Sequence, residues 1–190
     1  CLKLEDTMMY PWLSKDMVPA PALLPQEYFK IFKHVSRINM NQKIQVSILG
    51  ATGMVGQNYI RLLENHPWFQ IVDVAASPRS AGKTYSDAVG QSWLMPDPMP
   101  VSVSNLVIRD VRDFDSIPKN VNCVFSAMDL PEKKKTRNLE FDYAKAGFPL
   151  ISNSSANRWT NDVPMIIPEI NPDHIDVIPI QQSGRGLPPN

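Results

Sequence analysis

Gly50, Gly53 and Gly56 recur at every third position within Ile44–Gly56, which reads Ile-Gln-Val-Ser-Ile-Leu-Gly-Ala-Thr-Gly-Met-Val-Gly. Glycines spaced like this between a strand and a helix suit one kind of chemistry, the binding of a dinucleotide. One lets the chain turn sharply off the strand, one lets backbone N–H groups approach a pyrophosphate, and one lets the helix pack closely. The helix N-terminus then offers unpaired N–H groups and a partial positive charge to the phosphates. The spacing is Gly-x-x-Gly-x-x-Gly, not the commoner Gly-x-Gly-x-x-Gly, and alone it would mark only a tight turn. Its flanks give it weight: Ile44, Val46 and Ile48 alternate before it, and Val55, Tyr59, Ile60, Leu62 and Leu63 recur at helical spacing after it.

A second group, Ser77, Arg79 and Ser80, falls at the tip of the next predicted strand, Phe69–Ala76. A dinucleotide fold that takes NAD usually has an acidic residue there, accepting from the ribose hydroxyl. Asp73 comes three residues too early for that role, inside the strand. A guanidinium flanked by two hydroxyls would instead hold a 2′-phosphate, so the tip favours NADP. Ser126 ends a further predicted strand, where ligands of doubly wound sheets lie.

Other residues resemble reactive groups without their context. Gly82-Lys83-Thr84 lacks the glycine that a P-loop needs five positions earlier, where Ser77 stands. Cys123 sits among Val121, Val124 and Phe125, the setting of a small core residue and not of an activated nucleophile. His66 and His174 read as helix-terminal residues, His66 favoured by the negative end of the helix dipole. Lys133–Lys135 has no interleaved aromatic residues and reads as a solvated face, with no nucleic-acid partner implied. Asn153 begins an Asn-x-Ser sequon but reads as a buried polar contact.

Elements to position these groups can be read along the chain. After Ile44–Leu49 and the first helix, His66-Pro67 marks the helix end, because the residue before proline avoids helical geometry. Tyr85–Ser104, with Pro96, Pro98 and Pro100, reads as an irregular surface excursion. Leu106–Val111 reads as a strand, Asp113–Ile117 as one helical turn and Val121–Met128 as a buried strand. Pro131–Ala146 reads as a helix with proline in its first turn and Gly147 as its stop. Phe148–Ser152 and Val163–Ile167 read as strands, Asn171–His174 opens a short helix, and Gly184–Asn190 shows no core-like pattern. The order predicts an α/β, Rossmann-type, mostly parallel, doubly wound sheet with ligands at the strand tips.

The 190 residues suffice for one domain with a substantial core, and 43% are hydrophobic, as in soluble globular proteins. Lys+Arg and Asp+Glu both total 19, so no broad attraction to nucleic acid is expected. Two cysteines imply no disulfide framework and point to a reducing, cytoplasmic setting; no metal site is expected. No apolar run reaches membrane-spanning length. Residues 1–39 carry Pro11, Pro19, Pro21 and Pro25 and lack the pattern of a signal or transit peptide. They read as an N-terminal extension foreign to the domain, either translated upstream sequence or an artefact, and alternatively as a genuine arm packed on it. Glu27–Val35 is their one short amphipathic piece, and Met40 stands where an independent domain of this kind could begin.

Several motifs occur together and in order. They are Gly50-Ala-Thr-Gly-Met-Val-Gly-Gln57, His66-Pro67, Ala76-Ser-Pro-Arg-Ser-Ala-Gly-Lys83, Val124-Phe-Ser-Ala127, Ser152-Asn153 with Arg158, and Val163-Pro-Met-Ile-Ile-Pro-Glu-Ile-Asn-Pro172. In combination, from about Lys43 to Gln181, the sequence resembles the cofactor-binding half of aspartate-semialdehyde dehydrogenase in its archaeal and fungal form. Malonyl-CoA reductase shares the glycine loop and the Ser-Asn strand end, but the Ser77–Lys83 tip fits the aspartate enzyme better. A non-catalytic dinucleotide-binding module is the alternative of another class.

The resemblance implies an NADP-dependent oxidoreductase of amino-acid biosynthesis, acting on a small molecule and homo-oligomeric at full length. In that family a cysteine thiolate forms a thioester and a histidine acts as general base. Carried onto this sequence, Thr52, Gly53, Met54 and Val55 resemble the pyrophosphate loop, and Ser77, Arg79 and Ser80 the 2′-phosphate clasp. Ser126 and Asn153 resemble contacts nearer the nicotinamide, and Arg158 a holder of an anion. The expected NADP-binding domain is 40–181, with 182–190 a divergent tail. The family's nucleophile motif and catalytic histidine have no match here, so no catalytic residue is assigned and the chain is expected to be inactive alone.

Overall fold

The computed structural model describes residues 42–189, so the expectations for 1–39, including Glu27–Val35 and the start at Met40, lie outside the described residues. Strand β1 (Ile44–Leu49) runs through the glycine turn into helix α1 (Met54–Leu63), and β2 (Phe69–Ala76) follows. β1 and β2 have the bounds predicted for them, while α1 ends at Leu63, ahead of the stop read at His66-Pro67. Further on come α2 (Tyr85–Val89), α3 (Val101–Ser104), β3 (Arg109–Asp110), β4 (Cys123–Ser126), α4 (Lys133–Lys145), β5 (Leu150–Ser152) and α5 (Ile178–Arg185). The five strands form one sheet in the order β3-β2-β1-β4-β5, and every pairing is parallel. The chain thus reverses its direction of travel across the sheet between β1 and β4, which makes that junction the switch point where ligands of such folds bind.

Alternation along the strands sorts the core into two layers. Ile44, Val46, Ile48, Val74, Cys123 and Phe125 face one side, packed with Tyr59, Ile60 and Leu63 of α1 and with Tyr85 and Val103. Leu49, Ala75 and Val124 face the other, packed with Leu139 and Tyr143 of α4. Both sheet faces are therefore covered, as a buried parallel sheet requires. Cys123 lies wholly in the first layer, where burial pushes its thiol up to about 12, so it stays protonated at neutral pH.

The departures from the sequence reading have local causes. Tyr85–Ser104 is not a surface excursion: Tyr85 is fully buried, Val89 and Val103 nearly so, and Thr84 caps α2 by accepting from the Asp87 N–H. Pro100, itself buried, is the N-cap of α3, while Pro96 and Pro98 are exposed. Of Leu106–Val111 only Arg109–Asp110 pairs as strand, at the sheet edge, while Val107 makes an isolated antiparallel bridge to Thr84. Asp113–Ile117 forms turns, with Asp113 bonding to Ser116. Val163–Ile167 does not join the sheet: it is irregular, with its apolar Met165 and Ile167 more than half exposed. Pro131 precedes α4 instead of entering its first turn, because Glu132 is the N-cap. The end of the chain is more ordered than its composition suggests, since α5 runs to Arg185 and closes on left-handed Gly186, with Arg185 paired to Asp162.

A buried charge network ties β1, β2, β3 and α4 together. A register shift after Val46 sets Ser47 opposite Asp73, and the Ser47 hydroxyl donates to that carboxylate at 2.5 Å. Arg109 donates to Asp73 at 2.9 Å, to the Asp113 carbonyl at 2.7 Å and to the Tyr143 hydroxyl at 3.1 Å. Burial opposes the guanidinium's charge, but the hydrogen bonds and charge of Asp73 outweigh it and hold the Arg109 pKa above its ordinary value. Both ends of the pair are nearly sealed from solvent, with side chains 5% and 6% exposed. Removing one partner from such a pair leaves the other charge buried alone, so Arg109→Ala should lower unfolding free energy by about 3–5 kcal/mol. Urea denaturation checks this, and a loss below about 1 kcal/mol, the worth of a surface ion pair, would contradict it.

Candidate functional site

The site grows from one row of strand ends. Leu49 lies in register with Ala75 on one side and Ser126 on the other, and Ser126 with Ser152. The C-terminal ends of β2, β1, β4 and β5 thus form one edge. All the residues singled out above for binding lie at or just beyond those ends.

At the end of β1 the three glycines have different reasons. Gly50 adopts φ +73°, and a Cβ there would come within 2.9 Å of the Ala127 carbonyl oxygen. A Cβ on Gly56 would lie 2.3 Å from the Gly50 carbonyl oxygen and 2.7 Å from the Ala51 Cα. Packing within the chain therefore requires both. Gly53 is different: its backbone is ordinary extended, φ −79°, and a Cβ would meet only the Gly50 oxygen, at 3.5 Å. The fold would accept a Cβ at Gly53 in ordinary contact, and the sequence has none there.

The carbonyls of this turn are engaged within the fold. Gly50 accepts from the Gly53 N–H at 3.0 Å, Ala51 from the Tyr85 hydroxyl at 2.7 Å, and Thr52 from the Gln57 side-chain amide at 3.0 Å. Burial pushes the Tyr85 pKa up, which keeps its hydroxyl a donor. Gln57 also donates to the Ser92 carbonyl and accepts from the Leu94 N–H, tying the turn to the segment after α2. No side chain caps α1. Helix geometry leaves the N–H groups of Met54, Val55 and Gly56 without intrahelical acceptors. The sequence reading put Val55 on the buried face of α1, but it is 41% exposed and lines a cleft; Tyr59, Ile60 and Leu63 carry the packing.

Ser77, Arg79 and Ser80 form a turn beyond β2, in which the Ser80 N–H donates to the Ser77 carbonyl at 2.9 Å. Ser77 and Arg79 are exposed and Ser80 half-buried. Arg79 has no ion-pair partner among the described residues.

A cleft of about 230 Å³ opens at the switch point. Val55 forms one wall, Ala127 to Asp129 a second, and Asn153 to Ser155 with Arg158 a third. Lys133 and Arg158 bring positive charge to it, and Lys133 pairs with Asp129 at 3.0 Å. Asn153 reaches the cleft, and its N–H donates to the Ser126 carbonyl at 3.0 Å. Ser126 itself does not line it: the residue is fully buried and its hydroxyl donates to Glu140 at 2.9 Å.

Neither described histidine is placed for catalysis. His66 is buried, and its Nδ1 accepts from the N–H groups of Trp68 and Phe69. The ring thereby organises the turn into β2, and the His66 N–H donates to the Leu63 carbonyl at the end of α1. His174 lies in the short 3₁₀ helix Pro172–Val177, with Nδ1 3.0 Å from the Met165 carbonyl. Three supporting residues escaped the sequence reading: Gln57, Tyr85 and Glu140. Glu140 left a signal, because Thr136, Leu139, Glu140 and Tyr143 are the buried positions of α4 at spacings of three, four and seven.

Comparison with known proteins agrees with this geometry. The family profile described as "Semialdehyde dehydrogenase, NAD binding domain" matches residues 45–178. Aspartate-semialdehyde dehydrogenase of Archaeoglobus fulgidus is 40% identical over 146 residues, covering 76% of this chain and 40% of that protein. The Saccharomyces cerevisiae enzyme of that name is 38% identical over 131 residues, covering 69% and 34%. Among solved structures, aspartate semialdehyde dehydrogenase with NADP from Candida albicans superposes with a TM-score of 0.65 at 33% identity, covering 78% of this chain and 40% of that one. The chain thus spans about two fifths of the length of the relatives it matches. Matched over most of its length, it belongs to the semialdehyde dehydrogenase family, as a NAD-binding domain of that family.

Proposed function

We propose that this chain is the NADP-binding part, residues 40–181, of an aspartate-semialdehyde dehydrogenase, the enzyme that interconverts aspartyl phosphate and aspartate semialdehyde. The observation that carries the reading is that Gly53 could carry a Cβ without a clash yet has none, beside an uncapped helix N-terminus and one strand away from Arg79. Met54, Val55 and Gly56 supply N–H groups for a pyrophosphate, and the missing side chain at Gly53 lets it approach the backbone. Arg79, with Ser77 and Ser80, would hold the 2′-phosphate through charge-assisted bonds. The cleft beyond Val55 would take the nicotinamide end, beside Asn153, with Arg158 and Lys133 able to hold an anionic substrate. Bound NADP supplies the hydride exchange of the reaction; the chain's part is to bind and orient it.

No described residue fits the nucleophile's role, since Cys123 is buried and its thiol is pushed up to about 12. Thioester chemistry of the kind the resemblance implies would come from sequence beyond the region matched here. The names of the relatives favour the aspartate enzyme over malonyl-CoA reductase.

Two variants test the binding mode by calorimetric titration. Arg79→Ala should weaken NADP binding by about 1.5–3 kcal/mol, the worth of a hydrogen bond to a charged group. Its effect on NAD should be much smaller, and equal losses for the two cofactors would sink the 2′-phosphate assignment. Gly53→Val should leave the thermal midpoint within a few degrees of wild type, because the fold tolerates a Cβ there. It should abolish binding of both cofactors, and undiminished binding would show that the turn is only a turn.

A further inference from the structure

Glu140 is 3% exposed, on a helix whose neighbouring residues are largely charged and solvated. Its carboxylate accepts three hydrogen bonds. Ser126 and Ser152 donate their hydroxyls to Oε1 at 2.9 and 2.5 Å, and the Asn157 amide donates to Oε2 at 2.8 Å. These donors come from the end of β4, the end of β5 and the loop beyond β5. Each immediately precedes a residue of the cleft: Ala127, Asn153 and Arg158 respectively.

The same face of α4 holds the cleft at two more points. Thr136 accepts from the Leu130 N–H at 3.2 Å, and Arg137 donates to the Ala156 carbonyl at 2.7 Å. Glu140 differs from these two in joining the wall that follows β4 to the wall that follows β5. A carboxylate suits the task, since it offers up to about four acceptor sites and no donor, and all three partners here can donate. Burying it without a cation is costly unless its oxygens are satisfied, so the three donors and the carboxylate hold each other in place.

We infer that Glu140 is a positioning residue for this cleft. It touches neither cofactor nor substrate, and sets the distance between the β4 and β5 walls and the placement of Asn153 and Arg158. The consequence for ligands rests on the proposed reading of the cleft as the nicotinamide end of an NADP site. A ligand confined to the β2 tip should then be indifferent to Glu140, and one that spans both ends should not.

The test uses Glu140→Gln, which keeps the shape but makes one of the two oxygens a donor facing Asn157 or the serines. In hydrogen exchange, backbone amides of 127–130 and 153–158 should exchange about tenfold faster or more, while those of β1 and α1 stay at wild-type rates. In titrations, NADP affinity should fall about tenfold, the loss of one to two hydrogen bonds' worth of order, while 2′,5′-ADP, which lacks the nicotinamide half, binds as before. Should Glu140→Gln not fold, Asn157→Ala and Ser152→Ala each remove a single donor and should loosen 153–158 alone. Unaltered exchange in both segments would overturn the inference, and so would equal losses for NADP and 2′,5′-ADP. If wild type binds neither nucleotide yet the segments loosen on substitution, the NADP reading falls and the positioning role stands.

Discussion

The fold and the site both depend on how closely α1 approaches the end of β1. Gly56 packs against the backbone of Gly50 and Ala51 so tightly that a single methyl group would collide with both. That contact points the start of α1 at the strand edge, and it works only because Gly50 turns the chain under the Ala127 carbonyl at φ +73°. Tyr85 and Gln57 then engage the carbonyls of the turn, which leaves the N–H groups of the helix's first turn to face a ligand. A polarity that looks designed for phosphate thus follows from packing and from which backbone groups are already bonded.

Around this turn the molecule divides its work between two buried polar networks. Asp73 and Arg109 join β1, β2 and β3 on the side where the Ser77–Ser80 turn projects. Glu140 gathers β4, β5 and the loop after them on the side of the cleft. A long dinucleotide needs both ends of its site at a fixed separation, and a parallel sheet with one polar anchor on each side supplies that rigidity.

The sequence was legible where a single period governed it. β1, α1 and β2 follow from alternation and helical spacing, and two of the three glycines are explained by backbone contacts at the positions the motif marks. Legibility failed where tertiary partners decide. Val163–Ile167 has the composition of a strand but pairs with no strand among the described residues and is irregular. Tyr85 sits just ahead of a proline-rich stretch, and nothing local shows that its hydroxyl reaches the glycine turn 34 residues earlier. Asp73, too early for a ribose, is the buried partner of Arg109, a role visible only once β2 and β3 lie side by side. Glu140 was hidden by its charged surroundings, although it shares the buried stripe with Leu139 and Tyr143.

The most direct test of the account is an amide chemical-shift titration of the chain with NADP. Saturable binding should move the Thr52–Val55 and Ser77–Ser80 resonances most, because the proposed binding mode sets the pyrophosphate and the 2′-phosphate against those segments. Binding that saturates with both segments unmoved, or no binding at millimolar NADP, would contradict the assignment of this edge of the sheet as a dinucleotide site.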